Sequence, residues 1–304
     1  MITLTVDTDG VSGDYASLSA AIEAVPSSLD DDYTITLSAT TSVTDTVATS
    51  VITARTHNGY SIVVRQVGSS YIYAPTASPY LDVRTPMTFE AVRFQIPSAR
   101  WIAGSPGVRV TLDSCYCTGG RSVIQAPQFT VVNCVSIGAE RQAFWKADND
   151  GLAYIFNSTV VRANQEDDSY PAIENQNTWS GGRMLYVRNV YAHADYSAAG
   201  FSSSGQRSLS NCASYDGSDG TSEVAMSAET GARFLDITPG SEDLRIASGS
   251  SLIDAGVDLS DDAAFAFNYD ILGVSRPQGA EWDIGAFEFV DGTALPMPQY
   301  IYGA

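Results

Sequence analysis

The chain has 304 residues, a formal net charge of −19 and a pI near 4.2, so nucleic-acid phosphates and anionic lipid headgroups repel it and neither is an expected partner. Apolar residues make up 44%, enough for a continuous core, and Ser, Thr, Gly and Asn dominate the remainder, which favours strands and turns over helices. No run of 18 apolar residues occurs, so no transmembrane helix is expected.

The opening MITLTVDTDG has neither a basic n-region nor an apolar h-region, and no secretory leader is expected from it. After a first strand at Ile2–Val6, GDYASLSAAIEAVPSS predicts a short amphipathic helix. Leu18, Ala21, Ile22 and Val25 share one face, Asp14 or Ser17 is placed to accept from the first-turn N–H groups, and Pro26 stops it. Residues Tyr33–Thr53 alternate Thr and Ser with Ile, Leu and Val, as strands with one buried face do; SIVVRQV at Ser61–Val67 and MTFEAVRF at Met87–Phe94 read the same way.

From Val110 a signature recurs every 20 to 32 residues: alternation running into Asp or Asn, a small or β-branched residue, then more alternation. It reads VTLDSCYC at Val110–Cys117, TVVNCVSI at Thr130–Ile137, YIFNSTVV at Tyr154–Val161, LYVRNVYA at Leu185–Ala192 and SLSNCASY at Ser208–Tyr215. An inexact period of this size, with no helical pattern between strands, predicts a β-solenoid of stacked coils. The helix then has an evident place as a lid over the solenoid's first coil. Asp113, Asn133, Asn157, Asn189 and Asn211 form the repeat's polar ladder, expected at tight bends where they tolerate left-handed backbone and bond from coil to coil; their role is structural. Cys115, Cys134 and Cys212 follow that ladder at one or two residues and, with Cys117, read as buried free thiols rather than disulfides or a zinc site.

The longest excursion falls between Asn157 and Asn189, where QEDDSYPAIENQNTWSGG predicts a projecting loop; YDGSDGTSEVAMSAETG at Tyr215–Gly231 predicts a second. From Arg245 the texture changes, and the tail VDGTALPMPQYIYGA has no periodicity.

Two stretches resemble the right-handed parallel β-helix, or pectin-lyase-like, superfamily. TVDTDGVSGDYASLSAAIEAVPSS at Thr5–Ser28 is similar to the opening of pectin methylesterases and their relatives. GSSLIDAG at Gly249–Gly256, followed by Asp270, Gly273, Arg276, Pro277 and DIGAFEF at Asp283–Phe289, resembles the closing module of bacterial β-helix repeat proteins. The resemblance implies an all-β, single-stranded right-handed parallel β-helix with an N-terminal helical cap. The implied divisions are 1–30 for strand and cap, 31–246 for coils, 247–290 for a closing module and 291–304 for an extended tail. Because that superfamily holds lyases, hydrolases, esterases, adhesins and phage spikes, the fold by itself assigns no chemistry.

The strings those enzymes use are missing. YIFNST at Tyr154–Thr159 lacks the carboxylate of the methylesterase motif, the paired-Asp and Gly-His-Gly strings of polygalacturonases do not occur, and His57 and His193 stand alone. A lyase needs a base beside a uronate, with Arg or calcium neutralising the carboxylate. ERQAFWKADNDG offers Arg141, Lys146, Asp148 and Asp150, with Trp145 to stack on a sugar; the plainer expectation there is a solvated turn over a packed aromatic. The acidic runs Asp30–Asp32 and Glu166–Asp168 could hold calcium, but in so acidic a chain solvated loop tips are expected, and neither metal nor cofactor is assigned. Tyr71 and Tyr73 share one strand face and, with Trp145 and Trp179, are candidate glycan or subunit contacts.

The expected function is a non-enzymatic structural or binding protein of a bacteriophage virion: a capsid or tail decoration, a homotrimer touching other virion proteins through 291–304, and contacting host-surface glycans. A polysaccharide lyase or hydrolase and a bacterial surface adhesin are the alternatives, with an extracellular location.

Overall fold

The computed structural model describes residues 1–7, 14–38, 42–44, 50–67, 71–73, 81–96, 100–120, 122–147, 151–162, 170–176, 184–194, 200–202, 205–214, 233–238 and 240–292. Three parallel sheets account for most of its strands. Sheet I has nine, from Ile2–Val6 and Tyr33–Leu37 through Ile62–Gln66, Met87–Glu90, Arg109–Asp113, Gln128–Val132, Ala153–Phe156 and Leu185–Arg188 to Arg207–Ser210. Sheet II has eight, Ser42–Thr44 to Ala213–Ser214, and sheet III six, Ser50–Ile52 to Ile173–Asn175. From Tyr33 the chain visits I, II and III in turn, and each strand pairs in parallel with its counterpart one coil away. Crossovers between parallel strands take the right-handed path. The fold is therefore a right-handed parallel β-helix, the stacked solenoid that the repeats predict with the handedness that the resemblance implies.

The helix is Leu18–Ala24. Ser17 is its cap, its Oγ accepting from Ala20 N at 3.1 Å, while Asp14 accepts from Thr5 N at 3.2 Å instead. Leu18, Ala21, Ile22 and Val25 enter the same core as the coils, and the helix touches the first strands of sheets I and III. Burying each of the larger side chains contributes roughly 1.5–3 kcal/mol, which stabilises a helix too short to persist alone. Arg55 closes its far end, donating to Ile22 O at 2.8 Å and Val25 O at 3.2 Å.

Inside the coils, alternate residues stack in columns: Ile35, Val64, Phe89, Leu112, Val131, Ile155 and Val187 follow one another in register along sheet I, all fully buried. Between sheets I and II each coil from Met87–Glu90 onward turns on one residue of positive φ: Ala91 (52°), Ser114 (55°), Asn133 (51°), Asn157 (42°), Asn189 (54°) and Asn211 (51°). Asn meets the left-handed requirement at low cost because its short amide bonds locally. The first rung of the ladder read from the sequence is corrected here. Asp113 pairs with Val132, so Ser114 stands in register with Asn133, and Asp113 lies one residue earlier, on the outer face of sheet I. The next position holds Val92, Cys115, Cys134, Ser158, Val190 and Cys212, all buried. The four cysteines are free, and thiols reach carbonyls of their own and the preceding coil, as Cys134 Sγ does to Val132 O (3.1 Å) and Leu112 O (3.5 Å).

The described part of the excursion between Asn157 and Asn189, residues 170–176, contains a sheet III strand, Ile173–Asn175, whose Ile173 joins the core; three residues are too few for a periodic signal, and the rest of the expected loop lies outside the described residues. The coils run to Ser214 among the described residues rather than to 246. Phe234–Asp236 and Asp243–Ile246 pair antiparallel with each other and pack with the C-terminal stretch instead. That stretch does not close the end of the rod. It folds back along the flank as a strap over the bend between sheets I and II. Phe267, Leu259 and Trp282 cover Val132 and Phe156 of sheet I, while Phe234, Ile271, Ile284 and Phe287 cover Tyr116, Val135, Val161 and Tyr191 of sheet II.

Candidate functional site

The strap lies on the asparagine ladder. Asn211 Nδ2 donates to Ala255 O (3.0 Å), Asn157 Nδ2 to Asp283 O (3.4 Å) and Asn133 Nδ2 to Tyr269 O (2.9 Å). Asn189 both donates to Val257 O (2.7 Å) and accepts from Val257 N (2.8 Å). The ladder side chains thus bond mainly to the strap, with Asn189 to Asn157 at 3.2 Å as a side-chain link from coil to coil. Asp113 contributes from beside the ladder: its carboxylate accepts from Tyr269 OH at 2.8 Å, and burial, then the Asp113 charge, push that phenol up. Contact is close enough to exclude a side chain at residue 256, where a Cβ would lie 2.8 Å from Trp282 O and 3.1 Å from the Asn189 side chain; Gly256 fits.

The strap is fastened to itself by a buried clasp. Arg276 and Glu288, both fully buried, pair at 2.5 Å. Asp270 accepts from Leu272 N, Val274 N and Glu288 N, and Asp283 accepts from Asp254 N and Phe289 N. Burial pushes the Glu288 carboxyl up to about 7 against the opposing pull of Arg276, and burial raises Asp270 and Asp283 as well. These residues fill the closing motif seen in the sequence, and what they do is hold backbone turns in place.

The outer face of sheet I beyond the strap is the other surface of note. One outward row, fixed by strand register, holds Thr34, Val63, Thr88, Thr111, Thr130, Tyr154, Tyr186 and Ser208. Tyr154 and Tyr186 stack with centroids 5.4 Å apart and planes 13° from parallel. Arg109 lies 5.3 Å from the Tyr154 ring and donates to Phe129 O, Thr130 Oγ1 and Leu152 O. Toward the N-terminal coils a shallow hollow of about 210 Å³ opens between His57, Tyr60, Met87, Thr88, Arg109 and Thr111. His57 is anchored there by Tyr60 O at 3.0 Å and Thr85 Oγ1 at 2.7 Å.

The residues singled out from sequence do not converge. Phe144–Lys146 is a sheet III strand, not a solvated turn: Phe144 and Lys146 share the inner face, Lys146 is fully buried, and Trp145 is the partly exposed outward residue between Gln125 and Glu174. Arg141 lies outside, its guanidinium 4.5 Å from the Tyr170 ring centroid. An interior ammonium and an exterior guanidinium do not form one site on a polymer. Asp148, Asp150 and Trp179 lie outside the described residues, as do Glu166–Asp168, residues 215–232 and the tail from 293; so do the side chains of Tyr71 and Tyr73, whose backbones form a sheet II strand. The Asp30–Asp32 run serves local bonds: Asp30 accepts from Tyr33 OH, Asp31 from the N-terminal amine, and Asp32 from Ser61 N and Oγ. Among the described residues, no group of three or more His, Cys, Asp or Glu is placed to hold a metal ion, and no helix is long and apolar enough to cross a membrane.

Sheet topology, bend ladder and lid define the class: a single-chain parallel β-helix with a lateral C-terminal strap. Neither the protein-family models nor the curated proteins include a match to this chain. Among solved structures, the chain is similar to one titled "Crystal structure of pectate lyase Pel9A", with 14% identity and a TM-score of 0.37 over 94% of this chain and 96% of that one. A likeness this distant carries no argument about chemistry.

Proposed function

We propose that this protein is a non-enzymatic β-helix that acts through its lateral surface, a rigid structural and binding component of the kind a virion carries. One observation carries the reading: among the described residues, the most deeply buried charged side chains are committed to architecture. Lys146 and Arg162 are buried among the coils, and Arg276, Asp270, Asp283 and Glu288 are buried in the clasp. On sheet I, Arg65 pairs with Glu90 at 2.7 Å and Arg188 with Asp262 at 2.5 Å. Glycoside hydrolysis instead sets two carboxyl groups about the scissile bond, and elimination sets a base beside the abstracted proton. The reading extends to a trimer on a capsid or tail that docks through residues 291–304; the acidic surface and proline-bearing tail support that extension.

The test is incubation of the purified protein with polygalacturonate, alginate and neutral polysaccharides, following new reducing ends and the ultraviolet absorbance of unsaturated products. No turnover above buffer is expected. Turnover above buffer by the folded protein overturns the reading in favour of the lyase or hydrolase alternative, unsaturated products marking the lyase. Mass photometry checks the extension separately: trimers are expected, and a monomer throughout removes it.

A further inference from the structure

The outward row of sheet I runs beside the strap: Tyr154 packs at the edge of the Val132, Phe156 and Trp282 cluster, and Tyr186, the next ring along, is not part of that cluster. Seen along the rod, the Tyr154–Tyr186 stack is backed from the N-terminal side by Arg109, and the next rung after Tyr186 is Ser208, a small hydroxyl. The far face of Tyr186 is therefore a ring shelf with a hydroxyl beside it. The shelf is held rigid before any ligand arrives, because three acceptors fix Arg109. Toward the lid the row passes Thr130, which is buried and accepts from Arg109, and continues as the partly exposed Thr111 and Thr88 into the hollow beside His57 and Tyr60. Coils stack about 4.8 Å apart, so Thr88 to Tyr186 spans about 19 Å of rings and hydroxyls in one line.

Charge selects among ligands for such a strip. The neighbouring outward row is neutralised by the Arg65–Glu90 and Arg188–Asp262 pairs, and the whole chain carries −19. A polyanion finds one guanidinium on a strongly acidic body. A neutral polyol finds ring faces for its C–H surfaces and threonine hydroxyls for its own. We propose that this row binds a neutral polysaccharide chain lying along the rod axis, with the Tyr154–Tyr186 stack as its anchor. The proposal rests on the non-enzymatic reading and deepens it by naming the ligand class.

The experiment is native affinity electrophoresis of the full chain in gels cast with dextran, galactomannan, hydroxyethyl cellulose or polygalacturonate. At least one neutral polymer is expected to retard the wild type, and Tyr186→Ala to weaken that retardation about tenfold, the loss of one aromatic contact. Leu235→Ala, an exposed residue of the antiparallel pair far along the chain from the row, is the control and should be retarded as the wild type is. Urea midpoints equal to the wild type establish that Tyr186→Ala is folded; should it unfold, Tyr186→Phe, which keeps the ring, must retain retardation and Thr111→Val must lower it. Absence of retardation by every neutral polymer, retardation by polygalacturonate alone, or unchanged retardation of folded Tyr186→Ala overturns the inference. Retardation accompanied by product formation would leave the binding row standing while overturning the non-enzymatic reading, so the two fail by different signs.

Discussion

Replacing Asn189 tests whether the bend ladder and the strap form one mechanical unit. The residue is fully buried at a φ of 54° and makes two bonds to Val257 and one to Asn157. Alanine in left-handed backbone costs about 1–2 kcal/mol. It also strips partners from Val257 N and O; because Val257 is 36% exposed, water recovers part of this, and the lower end of the usual penalty applies, about 1 kcal/mol for each group. Asn189→Ala is therefore expected to lose about 3–4 kcal/mol in urea unfolding. Asn189→Gly, free of the steric cost, should lose about 1 kcal/mol less. Hydrogen exchange at the Val257 amide, which donates to Asn189 Oδ1, should accelerate in both variants ahead of the sheet I amides. Equal losses for Ala and Gly would refute the backbone part of the reasoning, and unchanged exchange at Val257 would refute the strap part.

Glu288 gives the pH prediction. Its carboxyl is raised by burial from 4.5 to about 7, so the folded state holds this proton more tightly than the unfolded state does. Its contribution is full below about pH 4.5 and is lost as pH rises through about 7, an upper bound of about 3 kcal/mol. Urea midpoints should fall between about pH 5 and about pH 8, and Glu288→Gln should flatten that slope; a rising midpoint would contradict the clasp's electrostatics. All four thiols should resist alkylation in the folded protein and react after unfolding, since all are buried and burial pushes Cys117 and Cys134 well up; rapid native modification followed by mass spectrometry would show the column to be open. Lys146→Ala should lower thermal stability by about 2–4 kcal/mol, the cost of vacating a buried site, and an unchanged midpoint would place that ammonium at the surface.

The coils were legible in the sequence because a strand with one buried face writes its period directly into the residues, and the helix because its cap, apolar face and proline agree. The strap was not. Its residues are recognisable, but Asp270, Arg276, Asp283 and Glu288 bond to backbone groups two to 29 positions away, and the sheet I partners of its apolar side chains lie more than a hundred residues earlier. Nothing local encodes such a pairing. Lys146 misled for a related reason: sheet III strands of three to five residues carry too little alternation to outweigh the charged residues flanking FWK.

The outward row shows how far a one-residue choice of register propagates. Taking Asp113 as the ladder residue puts that coil out of step with the Asn coils, and a shift of one residue exchanges inward for outward side chains. With Ser114 as the bend, every coil from Ala91 to Asn211 has the same frame. The residue after the bend is then a small or branched core residue. The residue before it meets the strap or a paired charge: Asp113 with Tyr269, Phe156 under Trp282 and Phe267, Arg188 with Asp262. The residue three before it gives Thr88, Thr111, Thr130, Tyr154, Tyr186 and Ser208, which is the outward row. The signal for the surface was present in the sequence at a fixed offset from a bend that positive φ, not residue type, defines.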